Sequence, residues 1–267
     1  MTRNKLKRLD SILKELKSIV VAYSGGVDSS FLLHRAATLT DVKVIGITIR
    51  TPYIPAREIE DTLEFTKLYG LNHKIIDVAF PEIIRNNPVD RCYLCKKLLF
   101  NGVLEFARNN GFDHVIDGSN ADDPGDYRPG LRALKELGIR SPLLEAEITK
   151  KDIREISREE GLPTWDKPAM ACLLTRIPYD TEVNEGTLRM IEQAEQLLFE
   201  KGCVGARVRI HGDLARIECL PGYIEKIIHN PDREHIINDF KKIGFRYVSL
   251  DLEGYRSGSL NPEKRRI

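Results

Sequence analysis

Ser24-Gly25-Gly26-Val27-Asp28-Ser29-Ser30 stands between the apolar run Ile19-Val20-Val21-Ala22-Tyr23 and the apolar residues Phe31-Leu32-Leu33. That order is a strand, a tight glycine turn and a helix N-terminus. Two glycines let the backbone turn sharply and approach a ligand closely. Free N–H groups of the first helical turn, with the positive end of the helix dipole, favour an anion there. Ser24, Ser29 and Ser30 add hydroxyl donors. The plain alternative is a glycine turn with an Asp/Ser helix cap; the strand–turn–helix setting favours a phosphate cradle.

The spacing is neither the Gly-x4-Gly-Lys-Ser/Thr loop, whose lysine is absent, nor the G-x-G-x-x-G fingerprint. Ser-Gly-Gly-Val-Asp-Ser resembles instead the PP-loop of the ATP pyrophosphatases. That resemblance implies ATP with Mg²⁺, held by Ser24, Gly25, Gly26, Asp28, Ser29 and Ser30. It also implies that the β,γ-pyrophosphate is gripped while a substrate oxygen attacks the α-phosphorus.

Outward from the loop, residues 4–17 read as an amphipathic helix, and the helix after the loop runs to about residue 39. Strands are expected at 42–49, 73–78 and 114–117, with helices at 56–69 and 91–110; Asp90 and Gly111 are placed to cap the second of these. Strands alternating with helices predict an α/β fold, a doubly wound, mainly parallel sheet. Ligands of such sheets sit at the carboxyl ends of the strands, where the glycine turn lies. Thr149 caps a further helix, with Ile148 stapled onto Ile153. Residues 163–181 then carry three prolines and no periodicity, which reads as an active-site segment expected to fold over the strand ends. From about 184 the pattern changes to a helix at 185–201, strands at 206–210 and 214–220 around a tight turn at His211-Gly212-Asp213, helices at 222–230 and 232–243, and a strand at 245–250. The expected division is a domain over 1–181 and a small α+β substrate or oligomerisation domain over 182–267.

The 267 residues balance 41 Lys and Arg against 40 Asp and Glu, which argues against a nucleic-acid partner. The basic N-terminus lacks the apolar stretch of a signal peptide and no run is long enough to span a bilayer, so a cytoplasmic protein and no membrane partner are expected. A homo-oligomer is expected, of unassigned order. Five cysteines, an odd number, speak against a disulfide scaffold.

Their spacing says more. Cys92 and Cys95 share one face of a helix at its start, where the dipole and the cations Arg91, Lys96 and Lys97 are expected to favour thiolates. Two such thiolates suit a soft metal, an iron–sulfur cluster or a redox pair; two partly buried helix cysteines are the plain reading. Cys172, in Pro168-Ala169-Met170-Ala171-Cys172-Leu173-Leu174-Thr175-Arg176-Ile177-Pro178-Tyr179, is the third candidate. Three thiolates leave one iron of a [4Fe-4S] cluster open, or one position of a zinc ion. Cys203 and Cys219 read as buried small hydrophobes. Arg207 and Arg209 lie on one face of a strand and suit a bidentate grip on phosphate, or else a solvated face. Glu195 and Glu218 are candidates for a divalent cation, or surface charges.

The glycine turn, the 168–179 segment, Arg207-Val208-Arg209-Ile210-His211-Gly212 with Ala215-Arg216-Ile217-Glu218, and Asp251-Leu252-Glu253-Gly254-Tyr255-Arg256-Ser257-Gly258-Ser259-Leu260-Asn261 together resemble the LarE family over nearly the whole chain. These are ATP-dependent, AMP-forming sulfur transferases of nickel-pincer nucleotide synthesis. The resemblance implies adenylation of a carboxylate of a pyridinium dicarboxylate mononucleotide, release of pyrophosphate and conversion to a thiocarboxylate. It implies phosphate-binding roles for Arg207 and Arg209, and metal-site roles for Glu195 and Glu218. Members with one cysteine at the Cys172 position give up its sulfur and keep dehydroalanine. The added Cys92 and Cys95 resemble the branch whose three thiolates hold a [4Fe-4S] cluster and take sulfide from an external donor, with zinc as the alternative metal. Competing readings are a tRNA thiolase with the same loop and cluster, a synthetase that transfers nitrogen, and an ATP-sensing module without turnover.

Overall fold

The computed structural model describes residues 2–123, 129–169, 171–229 and 233–256. The chain divides into two compact units: residues 1–84 with 90–170, and residues 85–89 with 171–267.

In the first unit, α1 (Thr2–Leu16) precedes β1 (Ser18–Ala22), α2 (Val27–Ala37), β2 (Lys43–Arg50), α3 (Ala56–Leu68) and β3 (His73–Asp77). A short 3₁₀ turn (Glu82–Ile84), α4 (Arg91–Asn109), β4 (His114–Ile116), α5 (Pro129–Glu136), α6 (Pro142–Glu145) and α7 (Lys150–Glu159) follow. The four strands pair in the order β3-β2-β1-β4, all parallel, which is the predicted α/β sheet. Strand order reverses beside β1, so the glycine turn leaving β1 lies at the switch point where such sheets bind ligands.

β1 is buried on both faces, as a central parallel strand must be. Ile19 and Val21 join Phe31, Leu32, Leu9 and Leu13 on one face, and Val20 joins Ile47, Val103, Val115 and Leu134 on the other. At α7 the predicted cap is a full capping box, with Asp152 N–H donating to Thr149 Oγ1 and Thr149 N–H to Asp152. Ile148 and Ile153 are both fully buried in the first core. Gly111 takes a φ of +65° just past α4, as expected of a residue ending a helix. Asp90 stands at the N-cap of α4 but makes no side-chain cap bond. The helix α5 was not foreseen.

In the second unit, a 3₁₀ turn (Leu173–Arg176) precedes α8 (Glu185–Glu200), β5 (Arg207–His211), β6 (Leu214–Glu218), α9 (Pro221–His229), α10 (Arg233–Ile243) and β7 (Tyr247–Leu250). β5 and β6 form the predicted hairpin, with Gly212 at φ +62°, and β7 adds parallel to β6. α8 lies against β5 and α10 and buries Leu188, Ile191, Ala194 and Leu198. Among the described residues no helix is long and apolar enough to cross a membrane.

Candidate active site

Ser29 stitches the glycine turn together. Its hydroxyl accepts the Ser24 N–H at 3.2 Å, lies 3.1 Å from Ser24 Oγ and donates to the Gly26 carbonyl at 3.3 Å. Ser30 N–H donates to the same carbonyl at 3.0 Å, which starts α2. Ser30 is fully buried near the Tyr23 hydroxyl, and burial pushes that phenol up from its ordinary value.

The two glycines have different jobs. Gly25 holds a φ of +72°, and a Cβ there would stand 2.8 Å from Thr62 Cγ2. Both observations demand glycine. Gly26 has an ordinary extended conformation at the N-cap of α2, and a Cβ there meets only Ser24 Oγ at 3.5 Å. Its side-chain position is therefore open for a ligand to approach. Gly118, after β4, is a third: a Cβ would lie 3.1 Å from the Ser29 nitrogen. Its absence lets the β4 loop close onto the first turn of α2.

Two lysines frame the turn. Lys150 Nζ lies 2.5 Å from Asp28 Oδ2, and the Asn120 amide donates to Asp28 Oδ1 at 3.4 Å. Lys167 Nζ donates to the Gly25 carbonyl at 3.0 Å and pairs with Asp61 at 2.6 Å. Arg154 fixes the segment that carries it, donating to the carbonyls of Trp165 and Lys167. Behind the turn Asp117 is buried and accepts from the hydroxyls of Ser119 and Ser141, both at 2.6 Å. The lysines were not foreseen as site residues. A signal existed for Lys150, since a lysine at the first position of a helix opposes its dipole and needs another reason to be there.

Cys92 and Cys95 occupy the first turn and a half of α4. Cys92 is exposed, whereas Cys95 is half-buried with its sulfur 3.1 Å from the hydroxyl of Tyr53. Burial pushes the Cys95 thiol up, and the Tyr53 hydroxyl only partly opposes this. The lowering expected for Cys95 is thus corrected: burial, with Cys92 adding to it, outweighs the Tyr53 hydroxyl and Lys96.

In the second unit Cys172 is half-exposed at the start of the 3₁₀ turn. Arg176, 2% exposed at its side chain, pairs with Glu195 through both Nε and Nη2 at 2.8 Å each. Its remaining nitrogen donates to the carbonyls of Ala171 at 2.7 Å and Cys172 at 3.2 Å. Glu195 also accepts the Val208 N–H at 2.9 Å, linking α8 to β5. Arg209 is buried, donating to Glu218 at 2.8 Å and to the Thr175 carbonyl. Glu218 takes a second guanidinium from Arg216 at 3.1 Å, and Arg216 also reaches Asp251. Arg207 is buried as well, its guanidinium 5.5 Å from the Tyr255 ring centroid.

Both carboxylates named for a divalent cation therefore already carry guanidinium partners, whose positive charge opposes a cation there. Arg176 had a sequence signal, a lone cation inside the apolar run Leu173–Pro178. Among the described residues, no group of three or more His, Cys, Asp or Glu side chains is gathered to hold a metal ion. Met170 and Ser257–Asn261, part of the segments quoted from the sequence, lie outside the described residues. Cys203 and Cys219 are buried, and burial raises the Cys219 thiol to about 11.

No protein-family model matches the chain. It is 36% identical over 261 residues, 95% of this chain and 92% of the relative, to the pyridinium-3,5-bisthiocarboxylic acid mononucleotide synthase of Lactiplantibacillus plantarum. It is 40% identical over 264 residues, 98% of both chains, to an uncharacterized protein, slr1717, of Synechocystis. A tRNA-specific 2-thiouridylase MnmA of Desulforamulus reducens is 27% identical over 198 residues, 57% of this chain and 53% of its own.

Proposed function

The chain belongs to the LarE family of ATP-dependent sulfurtransferases, and on that premise we propose that it converts a carboxylate of a pyridinium dicarboxylate mononucleotide into a thiocarboxylate. The near-complete match to a synthase named for that product carries the reading. The thiouridylase match covers just over half of this chain, and the balance of 41 Lys and Arg against 40 Asp and Glu leaves a net charge of only +1 to draw RNA.

The glycine turn supports the first step. Its backbone N–H groups and the start of α2 would hold the β,γ-pyrophosphate together with its Mg²⁺ ion, Gly26 giving the close approach, while Asp28 is paired with Lys150. Lys150 and Lys167 are two cations already beside the turn. A substrate carboxylate oxygen then attacks the α-phosphorus, and pyrophosphate leaves with the bonding pair. The loop lacks the lysine that stabilises charge on a departing γ-phosphate, so AMP rather than ADP is the product. Hydrosulfide adds to the acyl carbon of the adenylate, AMP leaves with its oxygen, and one proton is released. Arg207 and Arg209 would hold the substrate phosphate; Arg209 is already fixed by Glu218.

Cys92, Cys95 and Cys172 would hold a [4Fe-4S] cluster, and thiol donors, one exposed and two half-exposed, fit that ligand chemistry or zinc. When bound, such a cluster would supply an iron without a protein ligand, to carry sulfide. Cys172 as a consumed sulfur donor is the competing reading, and mass separates the two. Purified protein given ATP, Mg²⁺, the dicarboxylate mononucleotide and sulfide without oxygen is expected to form AMP, pyrophosphate and thiocarboxylate at unchanged polypeptide mass. Dehydroalanine at 172 in step with product would establish the consumed cysteine; ADP as the stoichiometric product would overturn the adenylation.

A further inference from the structure

Residues 85–89 lie in sequence between the first 3₁₀ turn and α4, yet they belong to the second unit. At their centre Asn87 is fully buried, with a φ of +49°. A left-handed φ is a local cost for any residue but glycine, one that asparagine bears better than most. Pro88 follows and narrows the choice further.

The return for that cost is at one place. The Asn87 amide nitrogen lies 3.3 Å from the carbonyl oxygen of Leu174, 2.9 Å from that of Ile177 and 2.9 Å from that of Pro178. Carbonyls only accept, so the amide must turn its two N–H bonds toward them. Its own Oδ1 is then buried with no hydrogen-bond partner among the described residues. The backbone completes a strap: Asp180 N–H donates to Asn87 O at 3.2 Å and Val183 N–H to Arg85 O at 2.8 Å. Asp180 is itself left-handed, at φ +56°. A strained φ and an unpartnered buried acceptor on the same residue mark a position kept for what it holds.

We propose that Asn87 is a positioning residue for Cys172. Arg176 binds the 3₁₀ turn at its leading end, through the carbonyls of Ala171 and Cys172. Asn87 binds it at the trailing end. With both ends pinned, the Cys172 sulfur has one direction and a fixed half-exposure. Without the amide, three carbonyls lose a donor and the turn is free to rotate the thiol. The inference rests on the proposed function only in taking Cys172 as a sulfur that matters for transfer.

Asn87→Asp keeps the shape and removes both donors, while Asn87→Gly keeps the positive φ and removes the side chain. Asn87→Ser retains one donor and serves where either of the others fails to fold. In the full chain freed of metal with a chelator under reducing conditions, iodoacetamide labelling of the Cys172 peptide is expected to quicken by about fivefold or more in Asn87→Asp and Asn87→Gly, and less in Asn87→Ser. Labelling of Cys92 is the internal reference and is expected to stay within about twofold. Thiocarboxylate formation at saturating ATP is expected to fall about tenfold, with the KM for ATP unchanged. Wild-type labelling of Cys172 in folded variants overturns the inference, whatever happens to turnover. Faster labelling with undiminished sulfur transfer upholds the positioning and overturns instead the part given to Cys172 in the reaction.

Discussion

The glycine turn of the first unit and the Cys172 turn of the second are both short and chemically armed, yet they are shaped by different means. The first takes its shape from its own residues, a left-handed Gly25 and a serine five residues from the start that sews the two ends together, and the distant Lys150 and Lys167 pair with the turn so shaped. The second is held by side chains from far along the chain, Glu195 acting through Arg176 at a separation of 19 residues, Arg209 at 34 and Asn87 at 87 to 91. A backbone-built turn answers to what can occupy one φ. A side-chain-held turn answers to charge balance and to the number of donors.

The largest effect is expected where that charge balance is deepest. Arg176→Met leaves Glu195, with a side chain only 14% exposed, a single backbone N–H from Val208. Removing one partner of a buried ion pair costs about 3–5 kcal/mol, and the urea midpoint followed by circular dichroism is expected to fall accordingly. Adding Glu195→Leu removes the stranded charge and is expected to restore most of that loss. In both variants the Ala171 carbonyl loses its Arg176 donor and the Cys172 carbonyl falls back on Thr175, so labelling of Cys172 is expected to be fast in both. An Arg176→Met protein as stable as wild type would erase the contrast between the two turns.

Next come the two glycines. Alanine at Gly25 meets a left-handed φ, about 1–2 kcal/mol, and Thr62 at 2.8 Å, which adds about 1–3 kcal/mol of crowding. Gly26→Ala meets neither and is expected to change stability by less than about 0.5 kcal/mol. Its methyl stands where the pyrophosphate must approach, so ATP affinity is expected to fall by tenfold or more. Urea unfolding followed by the only tryptophan, Trp165, reports on the first unit, and an ATP titration gives the affinity. Gly26→Ala binding ATP like wild type would place the pyrophosphate elsewhere.

This difference in construction also decided what could be read in advance. The β1–turn–α2 unit, the Thr149 cap and the hairpin at Gly212 are local patterns, and each stands where the spacing put it. Lys150 against Asp28, Lys167 against Gly25 and Asn87 against Leu174 join residues 87 to 142 apart, and no local pattern encodes such pairs. Arg207-Val208-Arg209 was legible as a same-face pair, but its burial came from tertiary packing. Glu195 and Glu218 were legible only as charges; their arginine partners are 19 and 9 residues away. The Cys95 thiol shows the same limit, since a helix start says nothing of how deeply α4 is covered.

The smallest expected effect separates the units by acid. His73 lies behind the glycine turn, its Nε2 2.8 Å from Thr48 Oγ1. That hydroxyl donates to the Tyr23 carbonyl at 2.7 Å, so it accepts from the imidazole. Burial holds the His73 imidazole below its ordinary value. Burial also lowers His34, with Glu160 opposing and Arg35 assisting. With a folded pKa below the unfolded one, the unfolded chain takes up the proton first as the pH falls. The stability these groups contribute is therefore whole above about pH 6.5 and is lost as the pH drops beneath that value. The contacts that hold the Cys172 turn are guanidinium–carboxylate pairs and an amide, with no imidazole among the residues named. Between about pH 7 and 5 the urea midpoint reported by Trp165 is expected to decline. His73→Gln, whose amide can still donate to Thr48 without titrating, is expected to flatten that decline in part. Adding His34→Gln is expected to flatten it further. A midpoint that does not move with pH in the wild type would mean that neither imidazole changes its charge on unfolding, and the acid contrast between the two units would be gone.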